Sequence, residues 1–273
     1  MRNILYTCLF LFCCFSMTGK VPSKQKIRLT ENWEYLKGDL GGIWEAVRPA
    51  SPGNPETVPV WQKVTLPHCF NAEDAVDPDV NYYQGPGWYK TLLTVDNPYA
   101  DGRIVLDFEG AGQKTKVYIY TTLVGEHVGG YDEWSVDITE AVNSFMADDQ
   151  LMKRFKGKIP LSVRCDNSRD LEMIPSDLSD FNLYGGLYRY LNLVYLPKAS
   201  FELIRLEPVL SADRKEGTVK VKASFYNPED IRKANVTVAI YDAEHKQIYS
   251  QTVQNILPLG NQFLAEARIK NPA

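Results

Sequence analysis

The chain has 273 residues, of which 44% are hydrophobic and 23% are charged, and these proportions exclude a collagen-like or an intrinsically disordered protein. Its formal net charge of -4 argues against nucleic acid as a partner, because proteins that bind nucleic acid present basic faces. The length suffices for two domains, or for one large β domain with a sizeable core. It leaves open whether the chain is a fragment of a larger protein.

The N-terminal segment has the pattern of a secretory signal peptide. Arg2 supplies a positive charge, residues 4–15 form an apolar run, and the small residues of segment 16–19 suit cleavage by a signal peptidase. The run is too short for a helix that spans about 30 Å of hydrocarbon. We therefore expect residues 1–19 to be removed. The mature chain, which has no later apolar run of spanning length, is expected to be secreted or periplasmic, with no membrane span.

Cysteine usage leaves two alternatives open. Acylation of Cys13 or Cys14 would produce a lipoprotein, which is the less favoured interpretation because Phe12 stands where lipoprotein signals have a small residue. In the mature chain Cys69 and Cys165 remain, and the two could pair in an oxidising compartment. Because Cys165 lies on the apolar face of a predicted strand, we favour a buried free thiol.

Along the chain, apolar and polar residues alternate with a period of two, which predicts half-buried β-strands. The alternation is clearest over residues 103–108, 218–225 and 235–240, and turn-forming residues cluster at 51–55, 96–98 and 227–230. One short helix is predicted, over residues 137–143. Many short antiparallel strands with frequent turns predict an all-β protein built from β-sandwiches.

A domain boundary is predicted near residue 198. Residues 20–198 have the size of a jelly-roll β-sandwich. Residues 199–273 hold four or five predicted strands, whereas an immunoglobulin-like β-sandwich needs about seven. The second sandwich is therefore expected to be incomplete.

Motifs of catalytic, metal and cofactor sites are missing from the sequence. The histidines His68, His127 and His245 are isolated, and no CxxC, HExxH, GxSxG, GxGxxG or P-loop motif occurs. We therefore expect no metal and no cofactor. His127, in a glycine-rich segment, is interpreted as a structural hydrogen-bonding residue, and the basic residues between 153 and 158 as a solvent-exposed hairpin.

Six short motifs, taken in order, resemble one protein family. They cover residues 67–72, 82–90, 108–111, 125–131, 137–139 and 184–189, and the last of them reads Tyr-Gly-Gly-Leu-Tyr-Arg. Each motif is weak alone, but the ordered set resembles the N-terminal sugar-binding domain of glycoside hydrolase family 2, a galactose-binding-like jelly roll. The family comprises β-galactosidases, β-glucuronidases and β-mannosidases. The part of the chain after residue 198 is similar to the immunoglobulin-like second domain of that family.

The resemblance implies a reaction and also where its catalytic groups lie. Family members hydrolyse β-glycosidic bonds with retention, using two glutamates about 5 Å apart on a (β/α)₈ barrel of roughly 250 residues that follows the second domain. The Asn-Glu dipeptide of the family's acid/base and its His-Tyr-Pro signature do not occur in these 273 residues. We therefore expect no catalytic residue here, and a role as the non-catalytic N-terminal portion of a secreted glycosidase. The alternative is a stand-alone carbohydrate-binding or complementing module without hydrolase activity.

The resemblance also implies one sugar contact, and the neighbouring loop offers a weaker candidate for a second. In galactosidases and glucuronidases an aspartate nine residues before the arginine of the Gly-Gly-aromatic-Arg segment reaches the barrel mouth, and here that position is Asp180, before Arg189. A carboxylate accepts hydrogen bonds from two sugar hydroxyls at once. Asn81, in the neighbouring loop, is a weaker candidate. The alternatives are an exposed turn acid at Asp180 and a plain turn residue at Asn81, and Arg189 is assigned a structural role.

The expected partners follow from the same resemblance. They are a β-linked oligosaccharide or glycoside as substrate, and a catalytic barrel that lies downstream or on a separate chain. Full-length family members commonly form dimers or tetramers, so a homo-oligomer stays open.

One turn departs from the family pattern. An Asn-Gly hairpin turn usually follows the strand at residues 117–119, where this chain has Thr121, Thr122 and Leu123. None of these three residues readily adopts the positive φ of a tight two-residue turn. We therefore predict a longer turn at this position.

Overall fold

The structure, a computed structural model, describes residues 25–49, 59–77, 79–174, 182–197, 199–226 and 233–270. The predicted signal peptide (residues 1–19) and Asp180 lie outside these ranges. Within them, seventeen strands and three short helices are present, and no helix is long and apolar enough to cross a bilayer.

The elements fall into two groups along the chain. The first group holds the strands β1 (Gln25–Arg28), β2 (Trp33–Lys37), β3 (Gln62–Val64), β4 (His68–Cys69), β5 (Pro86–Leu93), β6 (Arg103–Phe108), β7 (Lys114–Ile119), β8 (Thr122–Val128), β9 (Trp134–Asp137), β10 (Ile159–Asp166), β11 (Gly186–Leu187) and β12 (Leu191–Leu196). It also holds the helices α1 (Trp44–Val47), α2 (Thr139–Met146) and α3 (Asp149–Arg154). The second group holds β13 (Ser200–Leu210), β14 (Glu216–Tyr226), β15 (Ala234–Tyr241), β16 (Gln247–Ile256) and β17 (Gly260–Lys270).

The first group is an antiparallel β-sandwich. One sheet has the strand order β1-β12-β6-β9 and the other has the order β3-β2-β5-β10-β7-β8. Both sheets contribute to one core, which Leu106 and Leu193 enter from the four-stranded sheet and Leu161 and Val163 from the six-stranded sheet. The predicted all-β jelly roll is confirmed. The alternation of apolar and polar residues along the strands places every second side chain in the core, and this burial stabilises the sandwich.

The two cysteines of the described chain are both free. Cys165 lies on the core face of β10 and is fully buried, which confirms the prediction of a buried thiol. Burial raises the pKa of the Cys165 thiol to about 12, because a thiolate there would lose its hydration. Cys69 is half-buried, and its Sγ donates to Asn71 Oδ1 at 3.3 Å.

The predicted helix is present as α2. The backbone amide of its first residue, Thr139, has no acceptor within the helix and donates to Asp137 Oδ1 at 2.9 Å. The prediction of a hairpin at residues 153–158 is wrong, because this segment begins with the last turn of α3. Asp148 caps α3 by accepting hydrogen bonds from the amides of Gln150 and Leu151. Leu151 and Phe155, one helical turn apart, then pack against the core, and this pairing stabilises a helix rather than strands.

The predicted longer turn after residues 117–119 is also wrong. A two-residue turn, Tyr120-Thr121, joins β7 to β8, and Ile119 pairs directly with Thr122. Tyr120 adopts a φ of 53°, which is unusual for a residue with a large side chain. Its ring packs edge-on against Phe145, with the ring centroids 5.6 Å apart. Tertiary packing of the ring therefore supports a backbone conformation that the local sequence disfavours.

The second group forms an incomplete immunoglobulin-like sandwich. A three-stranded sheet, β13-β14-β17, and a two-stranded sheet, β15-β16, enclose a small core of Val221, Ala223, Val236 and Leu264. Five strands are described, in agreement with the expected four or five. The boundary at residue 198 stays a prediction, since that residue is not described.

Candidate functional site

A shallow groove of about 550 Å³ lies beside the predicted contact Asn81. Its lining comprises Asn81, Tyr82, Tyr83, Gln84 and Arg169. The volume falls within the range of pockets that hold small ligands. The groove lies where β5 begins and β10 has just ended, so two neighbouring strands position its walls.

Asn167, which directly follows β10, holds one wall of the groove in place. Its side chain is fully buried, and Oδ1 accepts a hydrogen bond from Gly85 N at 2.9 Å. Its Nδ2 donates to Tyr83 O at 2.9 Å and to Leu183 O at 2.7 Å. One buried amide therefore joins the Asn81 loop to the segment that begins at residue 182.

Asn71 repeats this connection from another part of the chain. Its Nδ2 donates to Leu183 O at 2.9 Å and to Asn182 Oδ1 at 3.1 Å, while its Oδ1 accepts from Gly185 N at 2.9 Å. All of these polar groups are satisfied in the interior, as buried amides require. We call Asn71, Asn167 and Asn182 the asparagine clasp. It fixes two loops that are about one hundred residues apart in sequence.

Two glycines allow the clasp to close. β4 and β11 pair through Cys69 and Gly186, which brings Phe70 against Gly185 and Gly186. A Cβ atom on Gly185 would overlap the Phe70 ring, and Gly186 has a φ of +110°, which side chains rarely adopt. The Gly-Gly pair is therefore required both by space and by backbone conformation.

An ion-pair cluster supports the groove from the outer face of the six-stranded sheet. Arg164 Nη2 lies 2.9 Å from Asp39 Oδ2 and 3.1 Å from Asp166 Oδ2, and Trp88 Nε1 donates to Asp39 Oδ1 at 2.9 Å. The Arg164 guanidinium, with the Trp88 hydrogen bond, lowers the pKa of the Asp39 carboxyl to about 2. On the groove wall, Tyr83 Oη donates to Pro86 O at 2.7 Å.

Arg189 cross-links backbone segments. Its Nη1 donates to Glu109 O at 3.2 Å and to Tyr131 O at 3.0 Å, and the adjacent Tyr188 Oη donates to Gly130 O at 2.6 Å. These contacts tie the glycine-rich segment after β8 to the segment after β11. They support the structural role that was expected for Arg189.

Of the two predicted sugar contacts, Asn81 is among the described residues and Asp180 is not. Asn81 is exposed on the rim of the groove, where its amide is available to a ligand. Asp180 lies outside the described residues, two positions before Asn182 of the clasp. Sequence reasoning missed Arg169 and the clasp residue Asn167, and it quoted Asn71 only as part of a motif. The signal that could have found Asn71 was its place in the motif over residues 67–72, one of the six that carry the family resemblance.

Within the described ranges, no group of three or more His, Cys, Asp or Glu residues is placed to hold a metal ion. His127 stacks on Trp134, with the ring centroids 4.7 Å apart, and its Nε2 lies 3.1 Å from Asp132 Oδ2. His68 Nδ1 lies 2.8 Å from Tyr89 Oη, and burial lowers the pKa of the His68 imidazole. His68 therefore has a hydrogen-bonding partner, whereas His127 Nε2 makes no hydrogen bond to the described residues and the His127 ring is held by stacking.

Comparison with known proteins places these observations in a family. Residues 26–197 match the sequence model described as glycosyl hydrolases family 2, sugar binding domain. The crystal structure of Parabacteroides merdae β-glucuronidase superposes with a TM-score of 0.87 and 73% identity, covering 91% of this chain and 32% of that one. Bacteroides uniformis β-glucuronidase 3 gives a TM-score of 0.80 and 53% identity, covering 91% of this chain and 31% of that one.

A curated relative agrees with the two structures. The putative β-glucuronidase of Formosa agariphila is 30% identical over 84% of this chain and 25% of its own length. The chain thus spans between a quarter and a third of the length of these three proteins.

Proposed function

This chain belongs to glycosyl hydrolase family 2, and from that premise we propose that it is the non-catalytic N-terminal portion of a glycosidase. In this role it supplies scaffold and sugar contacts to a catalytic barrel. The observation that carries the proposal is the pattern of coverage: 91% of the chain superposes on only 32% of the Parabacteroides merdae enzyme. The family's Asn-Glu dipeptide, which holds the acid/base, does not occur in the sequence.

The proposed substrate class is a β-D-glucuronide. The two solved structures at 73% and 53% identity are both named β-glucuronidases, whereas a relative named β-galactosidase, from Thermoanaerobacter pseudethanolicus, is 26% identical. Substrate preference is expected to follow the closer similarity. A β-galactoside is the alternative.

Within this role, Asn81 and Asp180 are proposed to contact sugar hydroxyls. Support for Asn81 is its exposed amide on the rim of a groove whose walls are fixed by buried hydrogen bonds. Support for Asp180 is its spacing, nine residues before Arg189, and its place two residues before Asn182 in the sequence. A preorganised loop matters because ordering a flexible one would consume binding free energy.

A chimera tests the scaffold role. This chain replaces the matching N-terminal part of the Parabacteroides merdae β-glucuronidase, and the release of nitrophenol from nitrophenyl β-D-glucuronide and β-D-galactoside is measured. We expect the chimera to hydrolyse the glucuronide and the chain alone to hydrolyse neither compound. Turnover by the chain alone that survives repurification would overturn the proposal, as would a folded but inactive chimera.

The same chimera tests the sugar contacts. Asn81→Ala and Asp180→Ala should each lower kcat/KM by about tenfold, the value of one lost hydrogen bond to a substrate hydroxyl. Asn143→Ala is the matched control, because Asn143 is an exposed asparagine on α2, away from the groove. Equal kcat/KM values for all three variants would refute the assigned contacts.

The second candidate function is a stand-alone carbohydrate-binding module. It is favoured by the continuous core of the first sandwich, which both sheets share without help from β13–β17. Calorimetric titration of the chain with glucuronic acid and galactose tests it, and no heat of binding at millimolar sugar would exclude it.

Export is part of the proposal. The signal pattern at residues 1–19 supports a secreted or periplasmic location, with acylation at Cys13 or Cys14 as the less favoured route. Expression with the native N-terminus and N-terminal sequencing of the exported product should give a mature chain that begins near Lys20. Recovery of the uncleaved chain from the cytoplasm would contradict this expectation.

A further inference from the structure

A second, larger cavity of about 1270 Å³ lies over the outer face of the six-stranded sheet. Four side chains on its floor form a row across neighbouring strands, in the order Lys63 of β3, Glu34 of β2, Lys90 of β5 and Ser162 of β10. Their sequence neighbours Tyr35, Tyr89 and Val163 point into the core. The row therefore faces away from the core, as alternation along a strand requires.

Lys90 is at the centre of this row. Its Nζ lies 3.5 Å from Glu34 Oε2 and 4.0 Å from the centroid of the Trp61 ring. Burial lowers the pKa of the Lys90 ammonium, against the opposing effect of Glu34. The Lys90 ammonium is thus partly removed from water, and the Glu34 carboxylate compensates for only part of the lost hydration. An anionic ligand beside Lys90 would supply the rest.

Ser162 provides an independent observation. The residue is 1% exposed, and its Oγ has no hydrogen-bond partner among the residues that the structure describes. Buried hydroxyls are nearly always satisfied, so an orphaned one on the floor of a cavity calls for a partner. A ligand hydroxyl would provide it.

The walls add positive charge. Five basic residues and two acidic residues line the cavity, and one of the basic residues, Arg48, pairs with Glu45 outside the lining at 2.7 Å, which leaves an excess of two positive charges in a chain whose formal net charge is -4. The basic residues are Arg48, Lys63, Lys90, Arg154 and Lys158, and the acidic residues are Glu31 and Glu34. Such an excess within a concave site favours an anion.

We propose that this cavity binds an acidic oligosaccharide, whose sugar rings carry carboxylate or sulfate groups. Lys90 and Lys63 meet the anionic group, while Ser162 Oγ and the Glu34 carboxylate bond to ring hydroxyls. Carboxylates and hydroxyls are the groups that recognise sugars, and lysine supplies the charge. The volume exceeds that of typical pockets for small ligands, which favours several linked rings over one.

The cavity lies at the other end of β5 from the groove beside Asn81. Lys90 is six residues along the chain from Gln84, which corresponds to about 20 Å in an extended strand. The proposal does not depend on the glycosidase role, and the two sites can be tested separately.

Calorimetry on the full chain at low salt tests the proposal. The probes are a hyaluronan hexasaccharide, which carries carboxylates, a chondroitin 4-sulfate hexasaccharide, which adds sulfates, and the neutral cellohexaose. We expect at least one acidic probe to bind about tenfold more tightly than cellohexaose, with affinity that falls as salt is added. The stronger of the two acidic probes identifies the anionic group.

Variants decide whether binding occurs in this cavity. Lys90→Met should weaken binding of the acidic probe by about tenfold, whereas Lys90→Arg should largely retain it. Ser162→Ala, which removes the orphaned hydroxyl without adding atoms at this buried position, should weaken binding severalfold without lowering the melting temperature. Lys116→Met is the matched control, because Lys116 pairs with Glu126 outside the cavity.

Three results would overturn the proposal. They are the absence of binding by both acidic probes, equal binding of cellohexaose, and an equal affinity in Lys90→Met and Lys116→Met. If Lys90→Met fails to fold, Ser162→Ala decides, and unchanged affinity in that variant overturns the proposal.

Discussion

Replacing Asn167 with alanine should destabilise the first sandwich by about 3 kcal/mol. The change removes three hydrogen bonds of a fully buried side chain, those to Gly85 N, Tyr83 O and Leu183 O. The two carbonyls also accept from Asn71 Nδ2, at 3.4 and 2.9 Å, so each loses only one of two bonds. The Gly85 amide loses its partner altogether. A buried orphaned donor costs about 1–3 kcal/mol, and each weakened carbonyl adds roughly 0.5–1 kcal/mol.

Urea unfolding, followed by the fluorescence of the buried Trp33 and Trp88, measures this loss. Asn143→Ala is the control and should change the free energy of unfolding by less than about 0.5 kcal/mol, since the residue is exposed. In the chimera, Asn167→Ala should also lower kcat/KM for the glucuronide, because Asn167 anchors the loop that carries Asn81. A loss of stability below about 1 kcal/mol would refute the reasoning that the clasp is a satisfied buried network.

Three further predictions concern charge, packing and reactivity. The ion pair with Arg164 holds the pKa of Asp39 near 2, below the ordinary 3.8, so the contribution of this pair to stability is present above pH 4 and disappears as the pH falls to about 2. In Asp39→Asn the melting temperature should therefore change less between pH 4 and pH 2 than in the unmodified chain. An equal fall in both proteins would contradict the lowered pKa of Asp39. Gly185→Ala should destabilise the chain by about 2 kcal/mol, because the added Cβ overlaps the Phe70 ring. Gly42→Ala is the control, since no described atom lies within 4 Å of its added Cβ, and it should change the free energy of unfolding by less than about 0.5 kcal/mol in the same urea assay. In the mature chain with Cys69→Ser, which leaves Cys165 as the thiol probed, Cys165 should react with a disulfide reagent such as DTNB only after unfolding, because it is buried with a pKa of about 12. Rapid labelling of that folded variant would be inconsistent with the burial of Cys165.

Local sequence determined the strands because alternation is a local property. In β6 and β10, apolar residues recur at every second position, and any fold that buries one face of such strands must place those side chains in a core. The same local reasoning failed at Tyr120, where a tight turn is supported by ring packing on Phe145. It also failed at α3, where contacts of Leu151 and Phe155 with the core outweigh the basic composition of the segment.

The candidate site was only partly accessible from sequence. The sequence named Asn81 as the weaker candidate for a sugar contact, and Asn81 lies exposed on the rim of a groove. No spacing rule could identify Asn167, because an asparagine after a strand is most often a turn residue. Its role depends on Tyr83 and Leu183, which lie far from it and from each other in sequence.

The sequence by itself determined the all-β class, the two sandwiches and the family, since periodicity and ordered motifs are carried by the chain in one dimension. Only the tertiary structure decided that the asparagine clasp joins the Asn81 loop to the segment that begins at residue 182, and that Lys63, Glu34, Lys90 and Ser162 form one row beneath a cavity. Strand register and burial are the physical reasons. Register brings together residues from distant strands, and burial makes each of their polar atoms require a partner.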